Sequence, residues 1–543
     1  MSENKKIARD LERTRDVTSL KALYQCAAIS RRAFVSRLAA LGISASVAGV
    51  IVAGAPVAVA ASPKRGGRIR AAAGGHGPDD TLDPARFNSV INFGRGEQFY
   101  NGLTRIDGSL VAQPDLAESW EPDSNATEWV FRLRKGVEFH SGKSLHAEDA
   151  LYSIQRHLDK DVGSGAKAFV ENVAEGIVED KHTVRFKLKG PDADFPVILG
   201  TYQMKIVPAG TTDFSTAPGT GPFKLVEFKP GVRSIAHRNP NYWEEGRPYV
   251  DEIEWFGISD HLARMNALLA GDIAMMSGLD PKAIRQIDRS AGVRVVNTKA
   301  GQYTNFVMMT DRAPTDSNEL RLAIKHLQNR ERILKLIHKG NGMPGNDQPI
   351  SPVDPMYCDE IPIRPFDPEK AKHHLKKAGM DGSTIKIHTS EVAGTGAIEQ
   401  ALMLQREAGK IGLNVKVQRD PGDGYWSATW GKKPFFMSGW NMRPTTNIML
   451  TLAFTSDAPW NEARWKNARF DELLTLGRAS LDPVQRKNIY CEAQTLIHDT
   501  GGVAIPCFID YLDAMSDKVK GFLPVPLGPL GASQWPRSVW LEG

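Results

Sequence analysis

Near residue 319 this chain passes from short alternating strands to helix-then-strand units, and that change of texture points to an α/β domain in its second part. Before it, Gly67–Ala71 reads as a strand and Thr81-Leu82-Asp83-Pro84 as a turn. Trp129–Arg134 alternates apolar and basic residues, which predicts a half-buried strand. Thr183–Leu188 repeats the pattern and Phe223–Phe228 is a third case. Ala147–Leu158 is expected to be helical, with Glu148 and Asp149 in the first turn, where the helix dipole favours them. After residue 319 the spacing of Leu320, Ile324, Leu327, Ile333 and Leu336 predicts helix over Glu319–Ile337. Asp367 is an N-cap with Pro368 at the first helical position, and that helix ends at Gly379. Ile398–Ile411 forms a third helix, closed by Gly412 and followed by the strand Asn414–Val417. No repeat of fixed period runs through the chain.

The N-terminal segment is of another kind. Ser30-Arg31-Arg32-Ala33-Phe34-Val35-Ser36 precedes a weakly apolar stretch, Leu38–Val59, and a small-x-small site at Ala58-Val59-Ala60. These are the parts of an export signal, and the paired arginines with Phe34 resemble a twin-arginine (Tat) signal. The expectation is a periplasmic protein, cleaved near Ala60. Gly42, Gly49, Gly54 and Pro56 dilute the stretch too far for a membrane anchor. Residues 1–60 carry nine Lys/Arg against four Asp/Glu, so 59 of each sign remain beyond them. The basic balance therefore belongs to the signal, and nothing in the rest points to nucleic acid or an anionic membrane surface. The roughly 480 remaining residues exceed one core and predict two or three domains. Cys26 leaves with the signal. Cys358, Cys491 and Cys507 allow one disulfide, with Cys491–Cys507 the expected pair, and exclude a disulfide framework.

Catalytic patterns are missing: the sequence has no P-loop, dinucleotide fingerprint, G-x-S-x-G elbow or H-E-x-x-H. Gly219-Thr220-Gly221-Pro222 reads as a turn rather than a phosphate cradle. His373 and His374 are adjacent on a helix and face different directions, which disfavours a shared metal. His140 and His146 fit a strand end and a helix start, so no metal and no cofactor is expected. Aromatic residues are the positive signal. Tyr425, Trp426, Trp430 and Trp440 crowd a turn-rich region with Arg443, where binding residues gather on loops.

Several stretches then align with a known family. Leu116–Pro122, Trp129–Leu133, Gly136–Gly142 and Ala147-Glu148-Asp149 form one block. Thr81–Pro84, Gly219–Leu225, Arg238–Trp243 and Asp367–Ala371 follow the same pattern. Together, over about residues 66–520, they resemble the family 5 extracellular solute-binding proteins, the peptide, dipeptide and nickel binders of ABC importers. The resemblance implies a two-lobed α/β periplasmic binding protein of the Venus-flytrap type with an extra N-terminal inserted domain. It implies 61–104 with 217–300 and 500–543 as lobe I, 105–216 as the inserted domain and 301–499 as lobe II. It also implies a non-enzymatic monomer that captures a small peptide or peptide-like solute and delivers it to an inner-membrane permease.

The resemblance places ligand contacts at Asn88, Ser89, Asn92, Tyr303, Asn305, Tyr425, Trp426, Trp440, Asn441 and Arg443. Dipeptide binders of the family carry an aspartate for the ligand's ammonium shortly after a Gly-Trp pair. Here Gly439-Trp440 leads to Arg443, and the upstream segment Glu391–Thr395 has no basic residue. An arginine offers a fork to a carboxylate instead, so the expected solute is an anionic or modified peptide, such as an opine or acyl-amino acid. A nickel-chelate or haem binder is the alternative, disfavoured because no histidine falls in these segments. An exported hydrolase is the third reading, weakened by the missing catalytic motifs.

Overall fold

The computed structural model describes residues 62–543, and local patterning decides most of its elements. The export signal and Cys26 lie outside the described residues. Thr183–Leu188 is a strand in which every second side chain is buried. It pairs with Glu128–Leu133 so that Phe186 meets Trp129 and Val184 meets Phe131. These two strands lie inside a four-stranded sheet, flanked by Ala117–Pro122 and Val173–Asp180. The helix Ala147–Gln155 packs on that sheet. Asp149 turns back to accept from His146 N at 2.9 Å, closing its first turn. One apolar core, from Leu103 to Ile206, holds this part together.

Helix boundaries follow capping chemistry. Asp367 accepts from Lys370 N at 2.9 Å, and Pro368 opens the helix Pro368–Lys377. The segment predicted as helical over Glu319–Ile337 is two helices, Asn318–His326 and Arg330–Leu336. Asn329 leaves the helical region and caps the second, accepting from Arg332 N at 3.0 Å. That break lets the buried Arg330 guanidinium reach both oxygens of Asp347, each at 2.8 Å.

Beside two two-stranded sheets, Thr104–Ile106 with Ala112–Pro114 and Val519–Lys520 with Trp540–Leu541, a 12-stranded sheet forms most of the rest. Its path starts at Asn414–Arg419 and runs through Thr384–Thr389 and Phe435–Trp440 to the 16-residue strand Val293–Met308, the long strand. Next come the C-terminal strand Cys507–Ser516, then Met275–Met276, Arg68–Ala73, Glu252–Gly257, Arg233–Arg238 and Phe223–Lys229. Both faces are covered at either end. Ile69, Trp255 and Met515 fill one core and Ala72, Met276 and Ala514 another at the first end. Phe306, Ile387 and Met437 fill one and Val307, Phe436 and Phe508 another at the far end. The long strand and the C-terminal strand contribute to cores at both ends. Where they pair, the register slips between Thr298 and Gln302, a bulge midway along the long strand.

The expected pairing Cys491–Cys507 is corrected: Cys358 and Cys491 form the disulfide, and Cys507 is free and buried. Gln494, one turn beyond Cys491 on helix Pro483–Thr500, accepts from Cys358 N at 3.0 Å and donates to Met356 O at 2.8 Å. It thereby docks the loop carrying Cys358 on that helix. Cys507 instead opens the C-terminal strand, opposite Pro344 in the strand Gly342–Pro344.

Candidate functional site

The C-terminal strand changes partners along one edge, and a cavity forms at the change. On that edge Cys507–Ile509 pair with Gly342–Pro344, while Ala514 and Met515 pair with Met275–Met276. Between them Asp510, Tyr511 and Leu512, together with the paired Ile509, border a cavity of about 690 Å³, well within the roughly 300–1,000 Å³ of small-molecule sites. Residues from both ends of the sheet close around it. His261 and Gly278–Lys282 come from one end, and Thr395, Gly396 and Glu399 from the other.

The first turn of helix Val90–Phe99 supplies Val90 and Phe93, and Phe93 stacks on Tyr202 with ring centroids 3.7 Å apart. Gly219 and Gly221 fix where that helix ends. A Cβ on Gly219 would stand 1.9 Å from Phe99 O, and one on Gly221 2.4 Å from Phe99 C. The Gly-Thr-Gly-Pro turn is thus a glycine surface against which the helix end is seated, with Gly221 N donating to Phe99 O at 3.0 Å. His140, on the other side of the turn, has its two ring nitrogens 3.2 Å from Ala217 O and 3.1 Å from Gly221 O, and its neutral imidazole donates to one of them.

Of the residues predicted from sequence, Asn441 and Arg443 line the cavity. Arg443 is half-buried, its guanidinium 5.7 Å from the Trp440 ring and 5.9 Å from the Trp460 ring. It makes no ion pair with any described residue. Burial pushes the hydroxyl pKa values of Tyr202, Tyr303 and Tyr511 upward, and the Arg443 charge opposes the rise at each. Ser89 caps the helix Val90–Phe99, beside the lining rather than in it. Asn92 is buried against Arg95 Nη1, at 3.3 Å, and Asn88 is exposed.

Tyr303, Asn305 and Trp440 gather behind the wall, whereas Tyr425 belongs to the core on the opposite face of the sheet and Trp426 is exposed. Glu462 is buried, accepting from Asn305 Nδ2 at 2.9 Å, Trp440 Nε1 at 3.0 Å and Trp430 Nε1 at 2.8 Å. Burial raises its carboxyl pKa, and these hydrogen bonds pull it back. Tyr303 is buried edge-on against Phe508. Tyr425 is buried with its hydroxyl donating to Met437 O at 2.7 Å, whereas Trp426 is 46% exposed. The cluster thus orients Trp440, and Trp440 supports Arg443. Sequence reasoning missed Tyr202, Gln302, Asp510, Tyr511 and His261. The run Cys507–Met515 did hold a signal: two aspartates, Asp510 and Asp513, inside an otherwise apolar strand. Among the described residues no group of three or more His, Cys, Asp or Glu stands ready for a metal.

The sequence profile of the bacterial extracellular solute-binding proteins, family 5 Middle, matches residues 111–462. The chain belongs to this family. A curated relative of this solute-binding protein, Di/tripeptide-binding protein 2 of Pseudomonas aeruginosa, is 28% identical over 459 residues, 77% of this chain and 85% of the relative. Heme-binding protein A of Haemophilus influenzae is 27% identical over 471 residues, 80% of this chain and 85% of that one. Among solved structures, the ABC transporter-associated periplasmic binding protein DppA from Helicobacter pylori, in complex with peptide STSA, superposes with a TM-score of 0.72. It is 24% identical and covers 88% of this chain and 99% of its own. This likeness shows the expected fold, a two-lobed α/β periplasmic binding protein. Among the described residues no helix is long and apolar enough to cross a membrane.

Proposed function

We propose that this family 5 protein is the periplasmic, monomeric solute-binding component of an ABC importer, taking a peptide or peptide-like solute whose carboxylate meets Arg443. The observation that carries the reading is a guanidinium on the wall of a two-sided cavity, stacked on tryptophans and without a carboxylate among the described residues. A bidentate anion is the partner such a group lacks. The peptide-binding relative supports the solute class.

Lobe I is taken as 61–104, 217–300 and 500–543, the inserted domain as 105–216 and lobe II as 301–499. The bulge at Lys299–Gly301, with the paired C-terminal strand, is the hinge in this reading. A solute touching both lobes binds the closed form better and shifts the equilibrium towards it. The closed form is then what a permease receives.

Isothermal titration of the purified protein against dipeptides, opines and acyl-amino acids tests the proposal. Arg443→Ala should weaken a carboxylate-bearing solute by roughly 10- to 100-fold, the loss of a charge-assisted contact of about 1.5–3 kcal/mol. Equal affinity with and without Arg443 overturns its role. A chelate or haem reading draws support from His261 in the lining and from the haem-binding relative. Nickel-histidine and haem therefore belong in the same screen, and binding of either with no peptide response replaces the peptide reading.

A further inference from the structure

Arg443 is not the sole charge at the cavity with unused bonding capacity. Asp510 also lines it, from the C-terminal strand, and its side chain is 0% exposed. Oδ2 accepts from Lys299 Nζ at 2.7 Å. Oδ1 has no partner among the described residues. The backbone of Asp510 is otherwise engaged: its carbonyl accepts from Gln302 Nε2 at 3.1 Å and its N–H points to Asn341 O at 3.5 Å. A carboxylate has acceptor capacity on both oxygens, and burying one oxygen without a donor is unfavourable. The other acidic side chains of the lining differ. Asp280 caps its own turn, accepting from Lys282 N at 2.7 Å, and lies 3.8 Å from His261 Nε2. Glu399 sits in the first turn of helix Ala397–Lys410, where the dipole favours it.

We infer that Asp510 Oδ1 accepts a hydrogen bond from a cationic N–H of the solute, making the cavity a site for a zwitterion. This rests on the carboxylate reading of Arg443 and narrows it. A free dipeptide or an opine with a protonated amine fits, and an acyl-amino acid does not. Lys299 lies in the bulge of the long strand, so Asp510 joins the bulge to the bound solute. Oδ1 is shielded from solvent in this conformation, so the donor reaches it through a local shift of the Asp510 side chain towards the cavity it lines.

The test is calorimetry with alanyl-leucine and N-acetyl-alanyl-leucine on wild type, Asp510→Asn and Arg443→Ala. The wild type should prefer the free dipeptide by about tenfold or more, the worth of one charge-assisted bond. Asp510→Asn should erase that preference by weakening only the free dipeptide. Arg443→Ala should weaken both forms. Equal wild-type affinity for the two peptides overturns the role of Asp510 and leaves that of Arg443 standing. Equal weakening of both by Asp510→Asn also overturns it, because the residue would then act through the strand alone. A preference intact in Arg443→Ala with no loss of affinity sinks the Arg443 reading and keeps Asp510. Binding of neither peptide overturns both. Should Asp510→Asn fail to fold, the wild-type comparison of the two peptides decides alone.

Discussion

At the scale of single residues, His338 carries a pH dependence that can be isolated. It is fully buried, and neither ring nitrogen bonds a described residue. Burial lowers its pKa to about 4, with Glu399 opposing the shift. An unfolded histidine titrates near 6.5. Between these values the unfolded chain binds a proton that the fold refuses, so stability is whole above about pH 6.5 and falls as pH drops towards 4. Replacing the imidazole by an apolar side chain removes that loss. His338→Leu should therefore gain about 2 kcal/mol on wild type at pH 5 compared with pH 8, at 1.36 kcal/mol per pH unit. Urea unfolding at the two pH values reads the difference, and an unchanged gap would show that His338 is protonated in the fold.

At the scale of elements, the disulfide ties a loop to a long helix. A non-reduced digest should yield Cys358 linked to Cys491, with Cys507 alkylated only after unfolding, since burial raises that thiol's pKa to about 12. The link spans 133 residues of chain, and its reduction should cost about 2–4 kcal/mol in urea unfolding. A peptide linking Cys491 to Cys507 would refute the structure here. The pairing was illegible in sequence because Cys358 lies on a loop positioned by Gln494, which no local pattern announces. Strand Thr183–Leu188 was legible to the residue, because alternation with one buried face is a local signal. The break at Asn329 was not: apolar spacing runs on across it, and only the cap and the Arg330–Asp347 pair reveal it. The site divides the same way. Arg443 and Asn441 follow a turn-rich segment that reads as a binding loop. Asp510 reaches the cavity through pairing with residues more than 200 positions away, and register of that kind leaves no trace in a local window.

For the whole molecule, the bulge packs against the cavity wall. A Cβ on Gly301 would stand 2.7 Å from Ser351 Oγ and 3.0 Å from Met442 Sδ, and Met442 adjoins Arg443 in the lining. Solution scattering should give a radius of gyration of roughly 23 Å for about 480 residues, falling when a bound solute closes the lobes. Gly301→Val should reduce that fall while leaving the unliganded radius unchanged. A radius indifferent to saturating solute would rule out closure as the response to binding.

The cavity's position also bears on how such a protein diverges. Much of its wall is connecting chain gathered at one stretch of strand edge that bonds loop residues, Asn341 and Leu279, instead of a neighbouring strand, so altered loops can reshape the cavity while the cores at both ends of the sheet stay as they are. Inheritance of the scaffold and of the preference are then separable. That is the pattern expected where relatives about a quarter identical to this chain carry names for cargoes as unlike as a dipeptide and a haem.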